Sequence, residues 1–282
     1  MTSIIEVEDF SFRYRNASSA ALRHLSFEVE RGSFFCIVGA NGSGKSTLCN
    51  ALVGLIPHYF VGRSGGGIRV KGNQVADTSI PELSKHIGLV FQNPFNQLSY
   101  TAGTVAEELA YGLGNHGVPR ELMEEKVRQV AALMHLESVI DKNPLELSGG
   151  QVQRVAFGST FIMEPDILVL DECTAQLDPL GSEEIFDIVK RLNDRGITVV
   201  MVDHDMERVA RCADQVMVLD GGRLVAIGSP QEVLSDPRTM DHGVDLPDFA
   251  KLSLALQAEG YPVDRIHTTE EPTVSMVKEL LS

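Results

Sequence analysis

The sequence predicts an α/β fold built on a phosphate-binding parallel sheet, with an antiparallel β subdomain, a helical subdomain and a short C-terminal helical extension. Three observations carry this expectation. Ser33 to Val38 is a continuous apolar run that enters Gly39-Ala40-Asn41-Gly42-Ser43-Gly44-Lys45-Ser46, which fits GxxxxGK[ST]. Ile167 to Leu170 is a second apolar run, and it ends in Asp171-Glu172. Between the two lies Leu147-Ser148-Gly149-Gly150-Gln151, and the order of the three makes an accidental match implausible.

The elements follow in order. Alternation in Ile4, Val7 and Phe10 to Tyr14, then in Leu25, Phe27 and Val29, predicts paired antiparallel strands. The strand from Ser33 to Val38 leads through the glycine loop into a helix from Lys45 to about Val53. Gly62 to Gly67 reads as a flexible turn before a strand around Ile68 to Val70, and Ile87 to Phe91 as another buried strand. From about 93 to 163 the texture is helical, with Leu122, Val127, Val130 and Met134 at near-helical spacing after Pro119. The strands Ile167 to Leu170 and Ile197 to Val202, separated by a helix from Glu183 to Leu192, form a βαβ pattern. Gln215 to Leu219 and Arg223 to Ile227 are expected to close a hairpin at Gly221-Gly222. These readings divide the chain into a catalytic domain, 1–237, containing a helical subdomain at about 93–163, and an extension, 238–282.

Composition narrows the partners. A net charge of −15 lacks the basic footprint that binding a polyanion requires, so nucleic acid is not expected. Cys36, Cys49, Cys173 and Cys212 have no CxxC spacing, which suggests reduced, buried thiols rather than zinc ligands or a disulfide framework. The apolar runs are far shorter than the ~20 residues a membrane-spanning helix needs, and the first residues show no export signal.

The chemistry follows from residue types. Gly39, Asn41, Gly42, Ser43 and Gly44 let backbone N–H groups converge on the β- and γ-phosphates of a nucleotide, with the positive end of the next helix behind them. Lys45 adds a point charge, Ser46 can ligate Mg²⁺, and Thr47 completes the loop. Asp171 is placed to hold the same metal, and Glu172 to polarise an attacking water. Ser148, Gly149, Gly150 and Gln151 offer a hydroxyl, exposed amides and a helix N-terminus, again suited to a phosphate.

Together these runs resemble the motifs of the ATP-binding cassette (ABC) ATPases over about residues 4 to 235. The resemblance implies ATP and Mg²⁺ as cofactors, a phosphate-loop core, and a sandwich of two cassettes in which each signature faces the partner's phosphate loop. It also gives roles to single residues. Gln92 matches the glutamine that senses the metal and the transporter interface, and His204 the switch histidine at the γ-phosphate. Asp178, in Ala175-Gln176-Leu177-Asp178, matches the loop that couples the two sites. Tyr14 matches the aromatic that stacks on adenine, although it or Phe12 could simply be core. Phe157-Gly158-Ser159 departs from the small residues common in the signature helix, and Cys173 replaces the usual Ala or Pro.

Phe91-Gln92-Asn93-Pro94-Phe95-Asn96-Gln97 looks like the extended glutamine loop of energy-coupling factor transporters, and the tail from Leu246 to Pro262 is similar to theirs. This implies a subunit at the cytoplasmic face of the membrane that docks on a transmembrane T component carrying a substrate-binding membrane subunit, and that drives uptake of a vitamin or metal ion. Its partner cassette is a second copy or a paralogue. Phe95 stands where that family prefers Asp or Glu, and Phe95 together with the helix expected at Gln97 should contact the transmembrane partner rather than ATP. Phe249, Leu252 and Leu256 would form an apolar face between cassettes, or pack back on their own domain. The alternatives are a conventional ABC importer ATPase and a soluble non-transport ABC ATPase; the second would carry long insertions or a fused second cassette, and this sequence shows neither.

Overall fold

The computed structural model describes residues 2–281 apart from 175 and 176. The chain forms two compact units, one of Met1–Thr78 with Val200–Ser282 and the other of Ser79–Val199. The helical region expected at about 93–163 lies within the second unit, and residues 238–282 lie within the first.

In the first unit β1 (Ser3–Tyr14) and β2 (Leu22–Glu30) pair antiparallel, with Val7 opposite Phe27 and Phe10 opposite Leu25. Their alternating apolar residues are buried. β3 (Phe34–Val38) is buried along its whole length, as a strand covered on both faces must be. The chain then enters α1 (Lys45–Leu52), which turns Leu48, Cys49, Ala51 and Leu52 to the core. A kinked turn (α2, Leu55–His58) precedes β4 (Gly62–Val70) and β5 (Asn73–Gln74), giving a four-stranded sheet in the order β2-β1-β4-β5.

The glycine cluster is thus strand, not a flexible turn. Gly62 to Gly67 pairs along β1, from Tyr14 to Glu8. At Gly66, φ is +71° and a Cβ would collide with the carbonyl oxygens of Glu8 and Asp9, so the cluster serves close approach of two strands at a bulge.

The second unit opens with a short helix (α3, Ile80–Leu83) and β6 (Ile87–Val90), followed by a 3₁₀ turn over Pro94–Asn96. Three helices come next: α4 (Val105–Asn115), α5 (Arg120–Leu133) and α6 (Gly149–Phe161). β7 (Ile167–Asp171) runs parallel to β6, with Ile87 beside Ile167 and Val90 beside Leu170. α7 (Pro179–Asp194) leads to β8 (Thr198–Val202), which passes from the second unit into the first. The departure at Phe157-Gly158 has a packing reason. Phe157 is fully buried, and a Cβ on Gly158 would lie 2.7 Å from Leu109 of α4 and 3.0 Å from Val130 of α5, so the bulk of one neighbour is offset by the absence of a side chain on the other. Of the series expected to face the core from α5, Val127 and Met134 do, whereas Leu122 is 47% exposed.

Back in the first unit, α8 (Met206–Cys212) leads to the expected hairpin of β9 (Gln215–Asp220) and β10 (Arg223–Gly228), and β9 lies parallel to β3. α9 (Pro230–Leu234), α10 (Asp248–Ala258) and α11 (Glu270–Leu280) complete the chain. The tail is tied to its own unit. Gln231 Nε2 donates to the Ile266 carbonyl at 2.7 Å, and the Asp248 N–H to Glu207 at 2.6 Å. α10 buries Ala250 and Ser253 and leaves Leu252 43% exposed, so the expected apolar face is only partly covered. Among the described residues no helix is long and apolar enough to cross a membrane.

Candidate nucleotide site

In the first unit the phosphate loop is shaped by backbone. A Cβ on Gly39, where φ is +145°, would collide with the Leu219 carbonyl of β9, and Gly44, at φ +112°, caps α1. The first N–H groups of α1 point into the loop, as they do at any helix start. Lys45 is 4% exposed and donates from Nζ to the carbonyls of Gly39 and Ala40 at 2.8 and 3.1 Å. The Ser43 hydroxyl is buried with no hydrogen-bond partner in the loop. An orphaned hydroxyl beside a folded-back lysine is what an anionic oxygen would satisfy. Asn41, Gly42 and Ser46 remain exposed.

Tyr14 and the loop are joined by a hydrogen bond between the Tyr14 and Thr47 hydroxyls at 3.2 Å. Phe12, 1% exposed, is core, whereas half-buried Tyr14 lines a cavity of about 300 Å³ with Arg13, Arg15, Val61, Gly62 and Arg63.

His204 is exposed on the loop after β8. Its backbone N–H donates to Asp203 Oδ1 at 2.7 Å, and Asp203 Oδ2 accepts from Arg208 Nη1 at 3.0 Å, both side chains nearly buried. This pair fixes the loop and was missed from the sequence. Its only signal is an arginine five residues after an aspartate at a strand end.

In the second unit Asp171 ends β7 and is 6% exposed. Glu172 follows in the left-handed region, φ +48°, where a non-glycine residue carries about 1–3 kcal/mol of strain. Gln92 Nε2 donates to Glu172 Oε2 at 2.7 Å, so two residues 80 apart in sequence meet. Ser148 and Gln151 form a reciprocal capping box at the start of α6: the Ser148 hydroxyl accepts from the Gln151 N–H at 3.4 Å, and Gln151 Oε1 from the Ser148 N–H at 3.1 Å. Asp178 caps α7 through the Gly181 N–H at 2.7 Å; Ala175 and Gln176, in the same predicted loop, lie outside the described residues. Arg154, a second residue not anticipated, links α6 to α7 through Glu184 at 2.6 Å.

The proposed metal donors are a hydroxyl (Ser46), a carboxylate (Asp171) and an amide (Gln92), all hard oxygens. Among the described residues no group of three His, Cys, Asp or Glu side chains could cage a metal. Hard oxygens of these kinds suit Mg²⁺, which keeps waters and substrate phosphates around one or two protein ligands.

The family model described as ABC transporter matches residues 22–175. A putative ABC transporter ATP-binding protein of Pyrococcus horikoshii is 42% identical over 98% of this chain and 97% of its own. The energy-coupling factor transporter ATP-binding protein EcfA1 of Bacillus subtilis is 42% identical over 98% of this chain and 96% of its own. Among solved structures, CbiO1 of Clostridium perfringens, described as part of the ABC transporter complex CbiONQ, superposes with a TM-score of 0.72 at 30% identity, covering 92% of this chain and 98% of its own. A dimeric ATP-binding cassette in a post-hydrolysis state with ADP and Pi gives 0.70 at 26% identity, covering 80% and 98%.

Proposed function

Because the chain belongs to the ABC transporter ATP-binding family and is an ABC-type ATPase, we propose that it energises an importer of the energy-coupling factor type, taking up a vitamin or metal ion. One observation carries this reading: the similarity to EcfA1 extends over 98% of this chain, including the turn after Gln92 and the tail after Pro237, not over the nucleotide motifs alone.

In this mechanism ATP lies with its phosphates in the loop Gly39 to Thr47 and its adenine on Tyr14. Lys45 leaves its own carbonyls for the β- and γ-phosphates. Ser46, Asp171 and Gln92 would hold Mg²⁺, which draws charge off the phosphates when bound. Glu172 orients the attacking water once Gln92 releases its carboxylate, and His204 contacts the γ-phosphate. Ser148, Gly149, Gly150 and Gln151 serve the site of a partner cassette, either a second copy or a paralogue, so ATP closes the pair and hydrolysis reopens it. The exposed turn at Phe95, 38% accessible, docks on the transmembrane T component at the cytoplasmic face, and the segment 238–282 acts as an extension of the ATPase domain.

Mild-detergent purification from native membranes tests the assignment. Recovery with a T component and a small substrate-binding membrane subunit is expected. Recovery with a conventional permease pair, or with no membrane protein, sinks it. Lys45→Ala should weaken ATP binding, and the ATP-bound Glu172→Gln complex should hold its cassettes together by crosslinking.

A further inference from the structure

The segment after Gln92 contains a side chain that faces inward while its neighbours face out. Phe95 and Asn96 are exposed, but the Gln97 amide is half-buried and engaged on both ends. Its Oε1 accepts from the Phe91 N–H at 3.3 Å, at the end of β6. Its Nε2 donates to the Ala156 carbonyl at 2.7 Å, to Thr160 Oγ1 at 2.7 Å and to Ser159 Oγ at 3.4 Å, all on α6. The partners, one N–H on one side and three oxygens on the other, fix which way the amide points.

Three pieces of chain thus meet at one residue. The first is the exposed turn, held in shape by Asn93, which caps the Phe95 N–H at 3.1 Å, and by Tyr100, whose hydroxyl donates to the Phe95 carbonyl at 2.7 Å. The second is α6, whose first turn carries Ser148 to Gln151. The third is the backbone immediately before Gln92, whose side chain holds Glu172. A turn stapled this way cannot absorb a displacement by bending. Ser99 adds a second anchor, with its N–H and hydroxyl both donating to the buried Glu108 of α4 at 2.7 and 2.8 Å.

We propose that Gln97 is the positioning residue that joins the exposed Pro94–Asn96 turn both to the signature helix α6 and to the strand end bearing Gln92. A push on the turn then moves Ser148 to Gly150 and loosens Gln92 from Glu172 in a single motion. This rests on the reading that the turn docks on a membrane partner. The geometry assigns to Gln97 the coupling of docking to hydrolysis, and leaves contact with the partner to Phe95.

Two variants separate its two ends. Gln97→Leu keeps the bulk and removes every hydrogen bond. Gln97→Glu keeps an acceptor for Phe91 but sets a carboxylate against the Ala156 carbonyl. Amide hydrogen exchange on the intact, nucleotide-free chain is expected to speed up by roughly 10-fold over 149–156 in both variants, and over 91–92 in Gln97→Leu alone, the scale of a lost hydrogen bond. In the complex purified with its membrane subunits, KM for ATP should stay within about 2-fold while kcat and transport per ATP fall about 10-fold. Unchanged exchange over 149–156 in Gln97→Leu overturns the proposal, as does a variant complex in which transport per ATP equals that of wild type. A wild-type chain that enters no membrane complex would instead overturn the importer reading, and the exchange measurement, made on the chain alone, still decides the role of Gln97.

Discussion

The phosphate loop of the first unit and the carboxylate end of the second are built by different means. The loop is made of backbone: glycines at Gly39 and Gly44 in conformations that favour glycine, helix N–H groups, and a lysine bonded to loop carbonyls. The carboxylate end is made of side chains reaching between elements, with Gln92 on Glu172, Gln97 on α6, and Arg154 on Glu184. Backbone geometry leaves a dense local pattern, eight residues long, in the sequence. Side-chain bridges between positions 30 to 80 apart leave none. The two kinds of construction also fail differently, because a backbone loop is lost when one residue no longer fits, whereas a side-chain bridge loses one function at a time.

The largest effect that would sharpen this contrast is chemical. Glu172→Gln should remove roughly 10²–10⁴-fold of ATP turnover while ATP binding persists, because only the positioned base is lost. Turnover measured beside equilibrium nucleotide binding checks it, and near-wild-type turnover would take Glu172 out of the mechanism. Next is Arg208→Met, which leaves Asp203 buried without its ion pair and should cost about 3–5 kcal/mol in denaturant unfolding. A loss under about 1 kcal/mol would mean that the His204 loop does not depend on the pair. Gly158→Val should cost about 1–3 kcal/mol by overpacking α6 against Leu109 and Val130. A variant as stable as wild type would show that the three helices can separate freely.

The smallest effect is in the tail. The hydrogen bond from Lys251 to Asp245 holds that carboxyl below its ordinary value, with the Leu246 N–H and the lysine's charge adding to the shift. A depressed folded-state pKa gives stability that is present above the ordinary Asp value of about 3.9 and is lost as pH falls through the lowered one. Acid unfolding should therefore shift slightly less for Asp245→Asn than for wild type below about pH 4. The pair is exposed, so only a small change is expected, and an identical acid limb would remove it from the account.

The sequence made much of this legible. The strands β3, β6, β7 and β8 announced themselves as short apolar runs, and the P-loop, Asp171-Glu172 and signature residues as motifs, because each is local. The glycine cluster misled for a physical reason: a run of glycines reads as a turn, but opposite β1 it is the absence of side chains that lets two backbones approach at a bulge. On α10 the small Ala250 and Ser253 are buried against the rest of their own unit while the larger Leu252 is turned outward. Asp203 with Arg208, and Gln97 with α6, could be found only once the fold had brought them together.

The capping box at Ser148 has one more consequence. A hydroxyl can receive hydrogen bonds and still give its single proton away. Here the oxygen is engaged by the Gln151 N–H, and among the described residues no acceptor is seen for its proton. A phosphate oxygen arriving at Ser148 would polarise the hydroxyl and tighten its grip on the helix start, since linked hydrogen bonds reinforce one another. Ligand arrival at this serine would then make the helix more ordered, not less, and a threonine should keep that double duty where an alanine would forfeit both halves of it.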